Sequence, residues 1–577
     1  MIKRTYRTWV SLTLATALFI SLLPAAFVSA ASLEPSDEAQ PSAVATTNMQ
    51  AYVDAMQPGW NLGNSLDAVG ADETAWGNPR VTESLIKQIA AQGYKSIRIP
   101  VTWDSHIGAA PNYTIDATYL NRVEEVVNWA LNENLYVMIN VHHDSWVWIS
   151  KMEPQHDRTL ARYNAVWTQI ANRFKNTSNK LMFESVNEPR FTEGGTTDEG
   201  KQQQLLDELN MSFHNILRSS GGQNATRPLV LSTLEGSPTQ TRMTALYNTI
   251  TKLNDSNLIA TVHYYGFWPF SVNIAGYTKF NSEVQQDITT TFDNAYNTFT
   301  ARGIPVILGE YGLLGFDKST GVIEQGEKLK FFEYLGYYTK QKKIATMLWD
   351  NGQHFGRTSF QWSDPELFNL IKTSWNIRSA TADSDLIYLK KGAAVQDKTI
   401  NLNLNGTQFV SLRAGNTVLQ QGADYTINGN MLTIKASQLS KLIASGQLGT
   451  TATLTAKFNQ GTDWKFKVVL YTTPKLSNTQ GTTSSFNIPT VFNGDQLATM
   501  EATYATGGNA GPQNWTSYKE FETTFSPNYS GNSIKLQPAL FNDTQDGVVN
   551  LKFYFWSGET VTYKITKNGS NVTGTAS

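Results

Sequence analysis

The sequence contains no cysteine among its 577 residues. This absence excludes disulfide bonds, thiolate catalysis and metal sites with cysteine ligands. Charge is also scarce: Asp, Glu, Lys and Arg make up 16 % of the chain, and 46 basic against 48 acidic side chains leave a formal charge of −2. Because phosphate binding needs a basic field, we expect no nucleic acid partner. The chain is instead rich in aromatic residues, with 15 Trp, 24 Tyr and 27 Phe, and its hydrophobic fraction of 40 % favours large globular domains.

The amino-terminal segment 1–30 has the pattern of a secretory signal peptide. Three basic residues precede an apolar stretch over 9–27, and small residues follow at 28–30, where a signal peptidase would cut. An uncleaved membrane anchor is the alternative, since the stretch approaches the length that spans a bilayer. Residues 31–49, rich in Ser, Pro, Ala and Thr, predict a flexible leader. We therefore expect a secreted, extracellular protein that has no membrane attachment after cleavage.

One pattern repeats from residue 50 to 377: a short apolar run, a polar or aromatic cluster, and then a segment with helical spacing. Such runs are typical of strands buried on both faces. Eight are predicted, at 59–62, 95–99, 136–140, 181–185, 229–232, 259–262, 306–308 and 345–348. Eight strands alternating with helices predict an α/β fold, a (β/α)₈ TIM barrel, with a doubly wound open sheet as the alternative.

Two all-β units of the sandwich type are predicted after the barrel. The first covers 380–474, where alternating residues and a turn at Asn428-Gly429-Asn430 indicate a hairpin, and a short helix is expected near 437–444. Its length is that of an immunoglobulin-like sandwich. The second covers 475–577, and its clearest strand is Leu551–Trp556. The junctions lack long Pro/Thr/Ser linkers, so we expect docked modules.

Reactive side chains lie at or just after the apolar runs of the barrel. They are Arg98, His142, His143, Asn187, Glu188, His263, Tyr265, Glu310 and Trp349. In a TIM barrel these positions share the carboxyl-terminal rim, where active sites of this fold assemble.

Two carboxylates in one pocket, surrounded by aromatic residues and hydrogen-bond donors, are the groups that glycoside hydrolysis needs. We assign Glu188 as the general acid and Glu310 as the second carboxylate. Desolvation and the like charge across the cleft should keep Glu188 neutral, whereas Glu310 needs donors such as Arg98 or Tyr265 to stay ionised.

The remaining polar residues of the rim leave alternatives open. A divalent metal could bind His142-His143-Asp144, but adjacent strand residues point to opposite faces, so at most one of the two His should point straight into the pocket. We expect no metal and no cofactor. His263 and Tyr265, two apart, should lie on one side as donors for the nucleophile or the sugar, or else are core residues. Trp349 is either a sugar platform or a core residue.

Six segments together resemble, in order, the motifs of family-five glycoside hydrolases, most closely bacterial secreted endo-β-1,4-glucanases. They are Gly59–Asp67, Ile97–Val101, Asn140–Asp144, Phe183–Pro189, Val262–Tyr265 and Leu308–Gly312. The resemblance implies a retaining double displacement with Glu188 as acid/base and Glu310 as the residue that forms the glycosyl-enzyme. It also implies supporting roles for Arg98, His142, Asn187, His263, Tyr265 and Trp349, and less firmly for His143. Retention requires the two carboxyl groups to lie about 5–5.5 Å apart.

The carboxyl-terminal units have looser resemblances. Residues 380–474 resemble the immunoglobulin-like module found in cellulases, and 475–577 resembles a family-forty-six carbohydrate-binding module. Strand alternation places Tyr554 and Trp556 on one face, where they either present a ledge for sugar stacking or pack against another sheet or domain. Trp515 and Tyr518 lie in a Gly/Pro/Asn-rich stretch, where loop aromatics are suited to a ligand.

Together these features predict a secreted, monomeric endo-β-1,4-glucanase whose substrate is a β-glucan polysaccharide. A docked terminal module could extend the cleft and favour mixed-linkage glucan or xyloglucan. A mannanase or a xyloglucan-specific hydrolase of the same mechanism is the nearest alternative, and transglycosylation stays open because it shares the covalent intermediate. A non-catalytic wall protein that binds polysaccharide is the alternative from another class.

Overall fold

The computed structural model describes residues 48–195, 197–317 and 319–576. The predicted signal peptide 1–30 lies outside these ranges, as does the predicted leader up to residue 47. The last two leader positions belong to a helix that begins at Asn48. Within the described ranges we find no helix that combines the length and the apolar character needed to cross a membrane.

Eight parallel strands form a closed barrel in sequential order. They are β1 (Gly59–Asn61), β2 (Ser96–Ile99), β3 (Tyr136–Asn140), β4 (Leu181–Glu184), β5 (Leu229–Ser232), β6 (Leu258–Tyr264), β7 (Val306–Tyr311) and β8 (Ala345–Leu348). Parallel pairing of β1 with β8 closes the sheet, which confirms the predicted TIM barrel and excludes the open sheet. The eight strands are the eight predicted, but β6 and β7 run two and three residues further.

Helices surround this barrel. They are α1 (Asn48–Ala55), α2 (Glu83–Ala91), α3 (Ala117–Asn132), α4 (Asp144–Val147), α5 (His156–Phe174), α6 (Glu199–Ser219), α7 (Gln240–Leu253), α8 (Trp268–Ser271), α9 (Ser282–Thr298), α10 (Gln325–Gln341) and α11 (Pro365–Ser374). The 3.6-residue spacing of Val123, Val126, Val127 and Ala130 buries all four side chains on α3. Asp116 caps α3 by accepting from the backbone N–H of Tyr119.

Helix α1 closes the amino-terminal end of the barrel. Its Met49, Val53 and Met56 pack with interior residues of the strands, such as Met138 and Met347, in one apolar cluster. This end of the barrel is filled with methionine and branched aliphatic side chains, so an active site is expected at the polar rim of the opposite end.

Two all-β modules follow, each with two sheets. The first contains β9 (Thr381–Ala382), β10 (Leu386–Lys390), β11 (Lys398–Asn403), β12 (Phe409–Ala414), β13 (Thr417–Val418), β14 (Tyr425–Asn428), β15 (Met431–Ile434), α12 (Ala436–Leu442), β16 (Gly449–Phe458) and β17 (Trp464–Tyr471). Its sheet orders are β10-β17-β16-β12-β13 and β14-β15-β11-β9. The predicted hairpin is confirmed as the antiparallel pair β14–β15.

The second module contains β18 (Lys475–Leu476), β19 (Thr479–Thr482), β20 (Phe486–Val491), β21 (Leu497–Tyr504), β22 (Phe525–Asn528), β23 (Ser533–Leu536), α13 (Pro538–Asn542), β24 (Gly547–Phe555), β25 (Thr560–Asn568) and β26 (Asn571–Ala576). Its sheet orders are β18-β20-β23-β22 and β19-β26-β25-β24-β21. The predicted alternation on β24 is confirmed: Leu551, Phe553 and Phe555 are buried, whereas Lys552 and Tyr554 are on the opposite, more exposed face.

The three modules are in contact, as the short junctions predicted. Arg378 donates two hydrogen bonds to the buried carboxylate of Glu333 on α10, at 2.9 and 2.7 Å, where the chain leaves the barrel. The Asn273 side chain of the barrel donates to the Ala498 carbonyl on β21 at 3.0 Å. In return, Phe521 N donates to Asn273 O at 3.2 Å. Hydrogen bonds to backbone on both sides hold the terminal module against the barrel.

Candidate active site

The carboxyl-terminal rim brings the predicted barrel residues together. Arg98 lies on β2, Glu188 follows β4, His263 lies on β6 and Glu310 on β7. The sequence placed His263 and Glu310 just after their strands. They instead form a pair within the sheet, since a register shift after Val262 lets the two strands continue side by side.

Arg98 is the centre of a buried hydrogen-bond network. Its guanidinium donates to Glu184 Oε2 at 2.9 Å, Asn61 Oδ1 at 3.0 Å, Glu310 Oε1 at 2.6 Å and Asn187 Oδ1 at 2.7 Å. The side chain is inaccessible to solvent. Only Arg offers a planar set of donors that can serve four acceptors in fixed directions. The network holds Glu310 and Asn187 in one orientation.

Glu310 has a second strong donor. The Tyr265 hydroxyl donates to Glu310 Oε2 at 2.6 Å, while Arg98 serves the other oxygen. Arg98 and Tyr265 are the two donors that the sequence analysis named for Glu310. Because both oxygens are fixed, the carboxylate is ready to meet a reacting atom without rearrangement.

Glu188 lies opposite Glu310, with His263 between them. His263 Nδ1 is 3.0 Å from Glu188 Oε1 and 3.6 Å from Glu310 Oε2. One carboxylate oxygen of each glutamate and a ring nitrogen of His263 all lie within 4.8 Å of one another. The Glu188 side chain is 30 % exposed and that of Glu310 is 6 % exposed. The two carboxyl groups therefore lie on either side of the His263 nitrogen, and Glu188 is the more accessible to solvent.

The expectation that Glu188 is neutral in the free protein is wrong. Burial works to raise the pKa of Glu188, but the hydrogen bond and charge of His263 outweigh it and lower the pKa to about 2. Burial likewise works to lower the pKa of His263, but the Glu310 and Glu188 carboxylates raise it above its ordinary value. Both shifts favour the proton on His263 over Glu188, an influence of the imidazole that the sequence analysis did not include.

Close packing holds Glu188 in a strained backbone conformation. Its φ is +39°, which few residues other than glycine adopt and which costs about 1–3 kcal/mol. Gly236, at φ +65°, leaves room for both partners: a Cβ there would lie 3.1 Å from His263 Nδ1 and 3.3 Å from Glu188 Cγ. Sequence reasoning missed Gly236, because its importance follows from the approach of side chains 27 and 48 residues away in the chain.

His142 is buried and neutral. Burial, followed by the charges of His143 and Arg98, lowers the pKa of His142 well below its ordinary value. The Asn140 amide nitrogen lies 3.0 Å from His142 Nδ1. Asn140 Oδ1 accepts from Val101 N, which fixes the amide with its nitrogen toward the ring. The Nε2–H of His142 is then the donor that remains for a ligand.

The two adjacent histidines do not separate onto opposite faces. Their ring centroids are 4.4 Å apart, since β3 ends at Asn140 and strand alternation no longer applies. The Trp146 indole donates to His143 Nδ1 at 2.8 Å, so Nε2 carries the proton toward Asp67, 3.4 Å away. The ring of His143 thus lies between the Trp146 indole and the Asp67 carboxylate.

Asp144 does not belong to the histidine cluster in which the sequence placed it. It is buried at the start of α4 and accepts hydrogen bonds from Trp103 N at 2.8 Å and from the Trp148 indole at 2.7 Å. Burial raises the pKa of Asp144 to about 6 against these donors. Its role is to join the loops after β2 and β3.

Trp349 follows β8 and lies parallel to the His142 ring, with an interplanar angle of 3° and centroids 6.1 Å apart. A Cβ on Gly63 would lie 2.8 Å from the indole, so glycine is needed where β1 ends. Trp349 N donates to Tyr311 O at 3.0 Å. These contacts place the indole beside His142 at the rim, as both alternatives for Trp349 required.

Sequence reasoning assigned no role to Glu184 and Asn61. Glu184 is fully buried on β4 and accepts from Arg98 and from the Asn140 amide, the latter at 2.7 Å. Asn61 joins Arg98 to the Gly309 carbonyl, to which it donates at 2.9 Å. A polar residue inside a short apolar run was the available signal, since such a residue needs a buried partner.

The four aromatic residues predicted for the terminal module lie in two places. Trp515 is 44 % exposed and its ring lies 6.2 Å from Trp268 of α8, an exposed residue that the sequence did not single out. Tyr518 packs against Tyr554, with centroids 5.7 Å apart. Trp556 instead borders a cavity of about 480 Å³ where the three modules meet. The predicted common ledge of Tyr554 and Trp556 is therefore divided between two surroundings.

Three family models match successive parts of the chain. A cellulase model, glycosyl hydrolase family 5, matches residues 61–355. A model of carbohydrate binding domain X2 matches 381–468, and the carbohydrate binding domain CBM46 matches 472–575.

Similar proteins cover the whole chain. Endoglucanase B of Paenibacillus lautus is 71 % identical over 576 residues, which are all of both chains. The structure of a full-length tri-modular endo-β-1,4-glucanase B from Bacillus halodurans is 57 % identical, covers 92 % of this chain and 100 % of its own, and has a TM-score of 0.91. A tri-modular endo-β-1,4-glucanase from Bacillus licheniformis, complexed with cellotetraose, is 32 % identical over 92 % of this chain and 99 % of its own, with a TM-score of 0.77.

Proposed function

Since the chain belongs to glycosyl hydrolase family 5 and is an endo-β-1,4-glucanase with three modules, we propose that it cleaves glucans by a retaining double displacement. Glu310 is the nucleophile and Glu188 the acid/base. The observation that carries this proposal is the approach of one oxygen of each carboxylate to within 4.8 Å. This separation supports retention, because an inverting enzyme needs about 6.5–9.5 Å to admit a water molecule.

In the first step, a Glu310 oxygen attacks the anomeric carbon while the glycosidic C–O bond breaks. The leaving oxygen takes a proton from Glu188. That proton originates on His263, 3.0 Å from Glu188 Oε1. A sugar in the groove displaces water from Glu188, which penalises its charge and favours transfer of the proton from His263 to the carboxylate.

The charge on Glu310 couples the two events. Its carboxylate raises the pKa of His263. When Glu310 becomes an ester, this negative charge is lost, and the proton is held less tightly as the leaving group needs it. In the second step Glu188 removes a proton from water and returns it to His263, the water oxygen attacks the anomeric carbon, and Glu310 leaves as a carboxylate. A sugar hydroxyl in place of water gives transglycosylation by the same route.

Arg98, Asn187, Tyr265 and His142 support this chemistry. Arg98 and Tyr265 orient Glu310, and Arg98 also orients the Asn187 amide beside Glu188. The free Nε2–H of His142 is suited to a sugar hydroxyl, and the adjacent Trp349 indole can stack on a pyranose face.

Glutamine substitutions at the two glutamates test the roles. We expect Glu310→Gln to abolish turnover on all substrates. Glu188→Gln should lose about 10²–10⁴-fold on polysaccharide but much less on a dinitrophenyl glycoside, whose leaving group needs no proton. Glu283→Gln, on the exposed face of α9, is the matched control and should keep wild-type rates. A non-catalytic polysaccharide-binding protein would lose no turnover in any variant, so a measured loss in the first two rejects that alternative.

The substrate range follows from an extended aromatic surface. Trp268 of the barrel and Trp515 of the terminal module are both exposed and lie 6.2 Å apart, so the docked module extends the aromatic surface that a long glucan chain can contact. This arrangement favours long soluble chains such as mixed-linkage glucan and xyloglucan over single short oligosaccharides. Reducing-end release on these polymers, cellulose and mannan tests the range. A mannan rate above the glucan rates would favour the mannanase alternative.

Secretion of the enzyme is part of the proposal. A polysaccharide too large to enter a cell requires an extracellular hydrolase, and the segment 1–30 has the pattern of a cleaved signal. Amino-terminal sequencing of enzyme from the culture medium should begin near residue 31. Full-length chain retained in the cell membrane would support the uncleaved anchor instead.

A further inference from the structure

The terminal module contains a lysine that is fully buried. Lys519 has 0 % relative exposure, and its ammonium donates to the carbonyls of Pro512 and Thr516 at 2.8 and 3.0 Å. Within the described part of the chain it has no carboxylate in an ion pair. Burial lowers the pKa of the Lys519 ammonium to about 8. Burying a charge without a counter-ion is costly, so the hydrogen bonds of Lys519 must supply something that an apolar side chain at this position could not.

The two carbonyls flank Trp515. They belong to the loop 511–517, at whose tip the indole is 44 % exposed. The backbone N–H of Lys519 donates to the carbonyl of Met500 on β21 at 2.9 Å. Lys519 thus connects strand β21 to both ends of the loop 511–517. Three donors on one ammonium can serve two carbonyls at once, which a methionine or leucine of similar size cannot do.

The loop faces the barrel. The Trp515 ring lies 6.2 Å from the Trp268 ring, with an interplanar angle of 46°. Close by, the Tyr518 ring lies 3.4 Å from the position that a Cβ on Gly276 would occupy. A displacement of the loop would therefore change the distance between the Trp515 indole of the terminal module and the Trp268 indole of the barrel.

We propose that Lys519 is a positioning residue for polymeric substrate: it holds the loop 511–517 so that the Trp515 indole stays beside Trp268 of the barrel. This inference rests on the proposed contact of Trp515 with glucan and deepens it. Lys519 touches no substrate and acts only through Trp515. Its loss should weaken the binding of long chains without changing the reaction at Glu188 and Glu310.

A double-mutant cycle in the full chain tests this role. Lys519→Met, Trp515→Ala and the double variant are compared on mixed-linkage glucan and on an aryl cellobioside that occupies only the barrel site. We expect Trp515→Ala to raise KM for the polymer about 10-fold and Lys519→Met to raise it about 3–10-fold, with kcat unchanged in both. The double variant should equal Trp515→Ala alone, and the aryl cellobioside should show no change. Lys564→Met, on an exposed position of β25, is the matched control and should match the wild type.

The outcomes separate the two claims. If Trp515→Ala leaves KM for the polymer unchanged, the contact of Trp515 with glucan is wrong, and the role of Lys519 with it. If Trp515→Ala raises KM and Lys519→Met does not, or if the double variant is worse than Trp515→Ala, only the role of Lys519 is overturned. Should Lys519→Met fail to fold, Lys519→Gln keeps two N–H donors without the charge. It should then give a smaller rise in KM than Trp515→Ala, and a rise that persists in the Trp515→Ala background would overturn the proposal.

Discussion

Removal of Arg98 is the perturbation whose cost the structure defines most closely. The guanidinium is inaccessible and lies between two carboxylates, Glu184 and Glu310, of which the first is fully buried. Breaking one buried ion pair by removing a partner costs about 3–5 kcal/mol, because the other charge is left without compensation. Arg98→Met leaves the charge of Glu184 uncompensated, whereas Glu310 keeps the Tyr265 donor, so we expect a loss of about 5 kcal/mol from a total that is of order 5–15 kcal/mol.

The compensating variant makes this reasoning testable. In Arg98→Met/Glu184→Gln the uncompensated charge is gone, and we expect about 2 kcal/mol to be recovered. Activity should stay low, because Glu310 still lacks its cation. Urea unfolding followed by intrinsic fluorescence measures both differences in the free energy of unfolding. Arg98→Lys is a control that keeps the charge without the planar set of donors. A loss below about 1 kcal/mol in Arg98→Met, or an additive further loss in the double variant, would refute the charge argument.

Three further substitutions have expected outcomes. Because the pKa of Glu188 is lowered, its carboxylate stabilises the fold above pH 4.5, and this effect is lost as the pH falls toward 2. Because the pKa of His263 is raised, its imidazolium stabilises the fold below pH 6.5, and this effect is lost as the pH rises. His263→Asn should therefore remove a stability maximum between about pH 4.5 and 6.5 in urea titrations. Burial and the charge of Asp385 raise the pKa of Glu324, the residue that caps α10, to about 8. The contribution of protonated Glu324 to the free energy of unfolding is therefore full below pH 4.5 and is lost as the pH rises through 8. Glu324→Gln should flatten this decline in urea titrations. Asn273→Gly, which keeps the φ of +51° accessible, should cost about 1–2 kcal/mol and separate the unfolding of the terminal module from that of the barrel in calorimetry.

The barrel could be predicted from the sequence because its signal is local. Each strand is a short apolar run buried on both faces, and each helix has an apolar stripe, so length and spacing sufficed for all eight strands. The ends of β6 and β7 could not be placed, since His263 and Glu310 are polar and their strand pairing depends on a register shift. The docking of modules followed from the short junctions, but which residues meet there did not.

The positions of Glu188 and Glu310 at the rim were predictable, because both residues lie at the ends of apolar runs. The site was not predictable where the effect depends on distances across the fold. The raised pKa of His263 follows from the nearby carboxylates of Glu310 and Glu188, the latter at 3.0 Å. The importance of Glu184 follows from a contact with Arg98, 86 residues earlier in the chain. A lysine buried without a carboxylate, such as Lys519, has no signature in the sequence.

Trapping the glycosyl-enzyme tests the central claim most directly. A 2-deoxy-2-fluoro cellobiosyl substrate with a good leaving group slows the second displacement more than the first, so the covalent intermediate should accumulate. Peptide mass spectrometry should then find one fluoroglycosyl group on Glu310, and Glu310→Gln should take up none. A label on Glu188, or turnover that yields product of inverted anomeric configuration with no labelled peptide, would contradict the account.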